Sequence, residues 1–118
     1  MKICTMKDLL DAEVLCCEEN LGRHVYSACG CDLMSDVLAY VKDQAVLLTG
    51  LVNPQVIRTA EMMDMVCIVF VRSKMPTEEM LNLARDSGIV IMQTKKRLYE
   101  ACGILYSNGL VRNKTKDE

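Results

Sequence analysis

Arg72 with Ser73, Lys95 with Lys96 and Arg97, and the turn Thr49-Gly50 with Asn53 are the residues of this chain best suited to hold an anion. Each group stands at or just past the end of a short apolar run, at 45–49, 66–71 or 89–93. An arginine presents a planar fork of donors that matches phosphate or carboxylate. A residue just past a strand also stands beside the start of the next helix, whose free N–H groups favour negative charge. Thr94, which follows the last run, reads as the start of the final helix. Lys95, Lys96 and Arg97 would then lie in its first turn and oppose its dipole by about 0.3–1 kcal/mol each. A bound anion explains them; so does full solvation, or a helix that starts later. Asp32 and Asp36, one helical turn apart, form a carboxylate pair for Mg²⁺, which normally also needs substrate phosphates. As a helix N-cap, Asp32 explains itself without a metal.

Other chemistries are excluded by what is missing. The sequence has no G-x-x-x-x-G-K-[ST] loop, no G-x-G-x-x-G loop and no G-x-S-x-G elbow. His24 is the single imidazole, so a nucleophile–His–acid set has one choice of base, and its plain reading is a surface residue opening a strand. Seven cysteines are many for 118 residues, but an odd number makes a poor disulfide framework. Cys67 and Cys102 read as small buried hydrophobes. Cys29-x-Cys31, with Cys16 and Cys17 nearby, lacks the usual zinc spacing, so no metal and no cofactor is expected. Oxidation at Cys29 and Cys31 is a further, minor reading.

The elements that must position these groups follow from pattern. Thr5, with Asp8 three residues on, reads as the cap of a first helix through Leu10; 13–17 and 24–29 read as strands around a polar turn. Asp32 opens a helix carrying Leu33, Met34, Val37, Leu38 and Val41 at helical spacing. Asn53-Pro54 opens one with Val56, Ile57, Ala60 and Met63 on its apolar face. Thr77 opens one burying Met80, Leu81 and Ala84 and stopping at Ser87-Gly88. The last helix buries Leu98, Ala101, Cys102 and Leu105. Apolar runs without polar alternation are buried on both faces, as in a parallel sheet covered by helices. The expected architecture is a three-layer α/β/α domain over residues 1–110, with a mainly parallel sheet of about five strands, mixed where the N-terminal third adds strands of other direction. Residues 111–118 form a charged tail.

A net charge of −2 and the absence of Trp argue against a nucleic-acid partner. No stretch approaches the ~20 apolar residues of a membrane span, and the N-terminus has no signal-peptide core, so a cytoplasmic protein is expected. Met75, and one of Met62 and Met63, are candidates for an exposed apolar patch and a subunit contact.

The segments Cys-Asp-Leu-Met-Ser-Asp-Val-Leu-Ala at 31–39, Leu-Thr-Gly-Leu-Val-Asn-Pro-Gln-Val-Ile at 48–57 and Glu-Ala-Cys-Gly-Ile-Leu-Tyr at 100–106 resemble stand-alone DRTGG-domain proteins of anaerobic bacteria. The opening, Met6-Lys-Asp-Leu-Leu with Glu13-Val-Leu, is similar to the start of the HPr kinase N-terminal domain. The resemblance implies an α/β fold shared with that domain and with the N-terminal domains of the Mur ligases. In phosphotransacetylases and CBS-containing pyrophosphatases the attached domain looks regulatory or dimer-forming, and stand-alone members accompany redox and signalling proteins. This chain departs from the name-giving motif. Leu51-Val52 stand where Asp-Arg would follow a strand, and Val71-Arg72-Ser73 where a Thr-Gly-Gly turn would. The combined expectation is a non-catalytic homodimeric module that senses a small anionic, nucleotide- or phosphate-like ligand through Thr49, Gly50, Asn53, Arg72, Ser73, Thr94 and Lys95, or docks on a signalling or redox partner. The alternative is an oligomerisation scaffold without a small ligand.

Overall fold

A computed structural model describes residues 1–40 and 44–111. In chain order it contains α1 (Ile3–Leu10), β1 (Glu13–Cys16), a 3₁₀ turn (Glu18–Asn20), β2 (Ser27–Gly30), α2 (Met34–Tyr40), β3 (Ala45–Thr49), α3 (Pro54–Met62), β4 (Cys67–Phe70), α4 (Glu78–Ser87), β5 (Val90–Gln93) and α5 (Leu98–Ser107). The strands form one five-stranded sheet in the order β1-β5-β4-β3-β2. β2 to β5 are parallel, with Cys29 opposite Leu47, Leu47 opposite Ile68 and Ile68 opposite Ile91. β1 joins β5 antiparallel, Glu13 opposite Gln93, with an irregularity between Val14 and Cys16. The sheet is therefore mixed, and the exception lies in the N-terminal third, as expected.

Central β3 and β4 have no exposed residue, which is why their sequences run apolar without alternation. α3 packs against α2 and α4, α1 against α5, and α5 lies on β2 and β3. Helices that link successive parallel strands fall on one face; α1 and α5 cover the other. Met6, Leu47, Ile68, Phe70, Met80 and Met92 are all fully buried in the core between them.

Two helices start as the sequence writes them. The Asn53 side-chain oxygen accepts from the Gln55 N–H at 2.8 Å, with Pro54 in the first turn, and the Thr77 hydroxyl oxygen accepts from the Met80 N–H at 3.2 Å. Gly88 closes α4 at φ 71°, a left-handed position that suits glycine.

Other expectations are corrected. Thr5 does not cap α1, which begins two residues earlier: the Ile3 and Cys4 N–H groups donate to the Arg23 and Leu21 carbonyls at 3.0 and 2.9 Å. A distant backbone segment supplies the acceptors a side-chain cap would otherwise provide. β2 begins at Ser27, not His24, which makes a single antiparallel bridge with Lys2. Leu33 and Leu38 are exposed while Met34 and Val37 are buried, so the apolar face of α2 is narrower than the spacing suggests. Cys102 is half-buried rather than buried. Met62 and Met75 are exposed, as expected of patch candidates. The roles assigned to Val41 and to residues 112–118 lie outside the described residues.

Candidate functional site at the carboxyl ends of the parallel strands

Asp32 is the structural centre of this edge, and not as a helix cap. The Cys31 N–H donates to the Leu48 carbonyl at 3.0 Å, which extends the β2–β3 pairing one step past β2 and delivers Asp32 to the end of β3. Its Oδ1 accepts from the Thr49 hydroxyl and from the Gly50 N–H, both at 2.8 Å. The fully buried Thr49 also accepts from the Leu51 N–H at 3.1 Å, so one hydroxyl ties the turn after β3 to Asp32. The N-cap assignment fails because this carboxylate is used across the strands before α2 starts at Met34. The Gly50 N–H, then the Thr49 hydroxyl, hold the Asp32 carboxyl below the usual carboxylate range against a smaller desolvation effect, and the Arg72 charge adds to the lowering.

Arg72 lies beside it. A Cβ on Gly50 would collide with Nη2 of Arg72 and stand 3.4 Å from its Cζ, so glycine gives the guanidinium its seat. Arg72 and Ser73 both adopt left-handed backbone, at φ 55° and 57°, a conformation that costs side-chain-bearing residues about 1–2 kcal/mol each. Tethers compensate for that cost. Arg72 N–H donates to the Lys96 carbonyl at 2.8 Å and Ser73 N–H to the Thr94 carbonyl at 2.9 Å. The Gln93 side-chain amide donates to the Ser73 and Lys74 carbonyls at 3.1 and 3.0 Å. Among the described residues the salt bridge is Arg85 with Glu78, so the exposed Arg72 guanidinium has no carboxylate in contact.

The same tethers explain why α5 starts late. Residues 94–97 are held by the loop after β4, and the buried Thr94 hydroxyl donates to the Leu10 carbonyl at 2.7 Å and accepts from the Lys96 N–H at 3.2 Å. Arg97, extended at φ −78° and ψ 163°, is the N-cap residue. Lys95, Lys96 and Arg97 therefore precede the helix rather than occupy its first turn, and the expected conflict with its dipole does not arise. Of the seven sequence-picked residues, the fold brings Thr49, Gly50, Arg72 and Ser73 to one strand-end ledge, with Lys95 exposed along it. Asn53 uses its side-chain oxygen as a cap, and the Thr94 hydroxyl faces the interior. Sequence reasoning missed the cross-strand role of Asp32 and the brace at Gln93, because both partners in each case come from a different strand.

Among the described residues no group of three or more His, Cys, Asp or Glu side chains is arranged to hold a metal. The thiols are poorly set for nucleophilic work. Burial, then neighbouring Cys31 and Cys102, push Cys29 up to about 11, and burial pushes Cys17 up to about 12. An open cavity of about 660 Å³ lies at the opposite, amino edge of the strands, where Glu61, Asp64 and Asp86 outnumber Arg23. That balance repels an anion, so volume and charge point to different edges; for an anionic ligand the charge decides.

No protein-family model matches the chain, and no curated protein matches it in sequence. In three dimensions it is similar to a solved structure of the CBS and DRTGG domains of the regulatory region of Clostridium perfringens pyrophosphatase, complexed with the activator diadenosine tetraphosphate. The TM-score is 0.70 at 14% identity, over 88% of this chain and 45% of that one. The chain thus spans less than half of that neighbour's length, and what the likeness shows is a shared fold.

Proposed function

We propose that this chain is a non-catalytic regulatory module of the DRTGG type that binds a small anionic, nucleotide- or phosphate-like ligand at the carboxyl edge of its sheet. The observation that carries the reading is the Arg72 guanidinium, seated over Gly50 and free of any ion pair among the described residues. Arg72, Ser73 and Lys95 contact the ligand; Thr49, Gly50, Asn53 and Thr94 shape the ledge. The similar regulatory region, crystallised with a nucleotide activator, supports the same class of ligand. The module is bacterial and cytoplasmic, acts as a homodimer, and reports ligand occupancy to a signalling or redox partner.

The test is thermal unfolding of the chain against adenine, guanine and uridine nucleotides, inorganic phosphate and small carboxylates. A ligand that binds the folded state at a hundred times its Kd stabilises by about 2.7 kcal/mol. Arg72→Ala abolishes that shift while leaving the unliganded Tm unchanged. A shift that survives Arg72→Ala removes the site from this edge.

A specific observation favours a second reading, the ligand-free scaffold. Tyr99 and Tyr106, 92% and 67% exposed, stand two turns apart on α5, the helix that packs on β3 and edge strand β2. A flat ligand panel together with a dimer that persists at nanomolar concentration selects it.

A further inference from the structure

Asp32 and Arg72 present opposite charges side by side without neutralising one another. Oδ1 of Asp32 is saturated by Thr49 and Gly50, while Oδ2 has no hydrogen-bond partner among the described residues. The two anchoring bonds fix the carboxylate plane, so the free oxygen is a pre-oriented acceptor. Arg72 is near enough for its charge to favour the ionised Asp32, yet no ion pair forms between them.

A bare anion fits this arrangement badly, because the carboxylate repels what the guanidinium attracts. The fitting ligand brings hydrogen-bond donors to Asp32 and negative charge to Arg72 on one small skeleton. Lys95 and Lys96 lie along the same edge, the Lys96 carbonyl 2.8 Å from the Arg72 nitrogen. Their charge suits a multiply charged phosphate better than a single carboxylate, and it disfavours an ammonium as the donor half. A neutral donor fits better, and the vicinal hydroxyls of a ribose are the neutral donors that a carboxylate at a strand end is well suited to bind. Resting on the function proposed above, we infer that the ligand is a ribonucleoside phosphate, its sugar hydroxyls held by Asp32 and its phosphate by Arg72.

Calorimetric titration of the whole chain with ADP, 2′,3′-dideoxy-ADP and inorganic phosphate tests this. Hydrogen bonds to a charged group are strong enough that ADP is expected to bind roughly tenfold or more tighter than its dideoxy analogue. Asp32→Asn, which keeps an oxygen for Thr49 and Gly50, removes that difference and at the same time raises the affinity for inorganic phosphate. Arg72→Ala loses all three ligands. Equal binding of ADP and dideoxy-ADP to the unmodified chain overturns the inference without needing any variant, and Asp32→Asn that preserves the preference does the same. In either case loss of binding in Arg72→Ala leaves the anionic site standing. Binding of none of the three to the unmodified chain, or binding that survives Arg72→Ala, overturns the site and the inference together.

Discussion

Gly50 is small because Arg72 lies on it, and that relation separates binding from stability. In Gly50→Ala the new methyl meets the tip of a flexible side chain rather than backbone, so the guanidinium swings away and the fold tolerates the change. Gly→Ala at a compatible backbone position stabilises by about 0.4–1 kcal/mol through the unfolded chain. The expected outcome is an equal or slightly higher Tm with weakened anion binding, in the same direction as Arg72→Ala; a titration and a melt of one variant check both. Asp32 adds a pH dependence. Its carboxyl is depressed in the folded state, so its stabilising contribution is fully present above its ordinary pKa of 3.8 and is lost as pH falls through the lower folded value. The stability difference between the native chain and Asp32→Asn should therefore shrink in acid, measured by denaturant unfolding at neutral pH and near pH 3. Gly50 and Arg72 were legible in the sequence as residues that directly follow apolar runs. Asp32 was legible as a cap or as half of a carboxylate pair with Asp36, since nothing local tells a carboxylate that caps the next helix from one that reaches the neighbouring strand.

At the scale of elements, helices whose caps are local were readable and helices whose caps are tertiary were not. Asn53 and Thr77 satisfy N–H groups two and three residues ahead, and α3 and α4 begin where those residues predict. Asn53→Ala is expected to cost about 0.5–2 kcal/mol in denaturant unfolding, the range for loss of a side-chain N-cap. The starts of α1 and α5 are set instead by the carbonyls of Leu21 and Arg23 and by the tethers between 72–73 and 94–96. A cap search along the sequence finds Thr5 and Thr94 because both are good cap residues, and both are overruled by hydrogen bonds that span 17 or more positions. Thr5→Ala should accordingly leave stability within about 0.5 kcal/mol, as for surface substitutions remote from such features.

For the whole molecule, the parallel core was legible because β3 and β4 are buried on both faces and carry the composition that such burial demands. The position of β1 was not, since a four-residue strand with partly buried residues fits either edge and either direction. That position has a kinetic consequence. β2 to β5 pair strictly with their sequence neighbours, so each contact closes a short crossover. β1 must wait for β5, and the bond from the Thr94 hydroxyl to the Leu10 carbonyl joins residues 84 positions apart. Loop-closure entropy makes such a seam form after local pairs have collapsed. The α1–β1 segment is thus the unit to dock last and to detach first: amides of β1 should exchange with solvent deuterium by a cheaper, sub-global opening than those of β3 and β4. Because Thr94 lies on that seam and its carbonyl accepts from Ser73, each partial opening would also loosen the loop that carries Arg72.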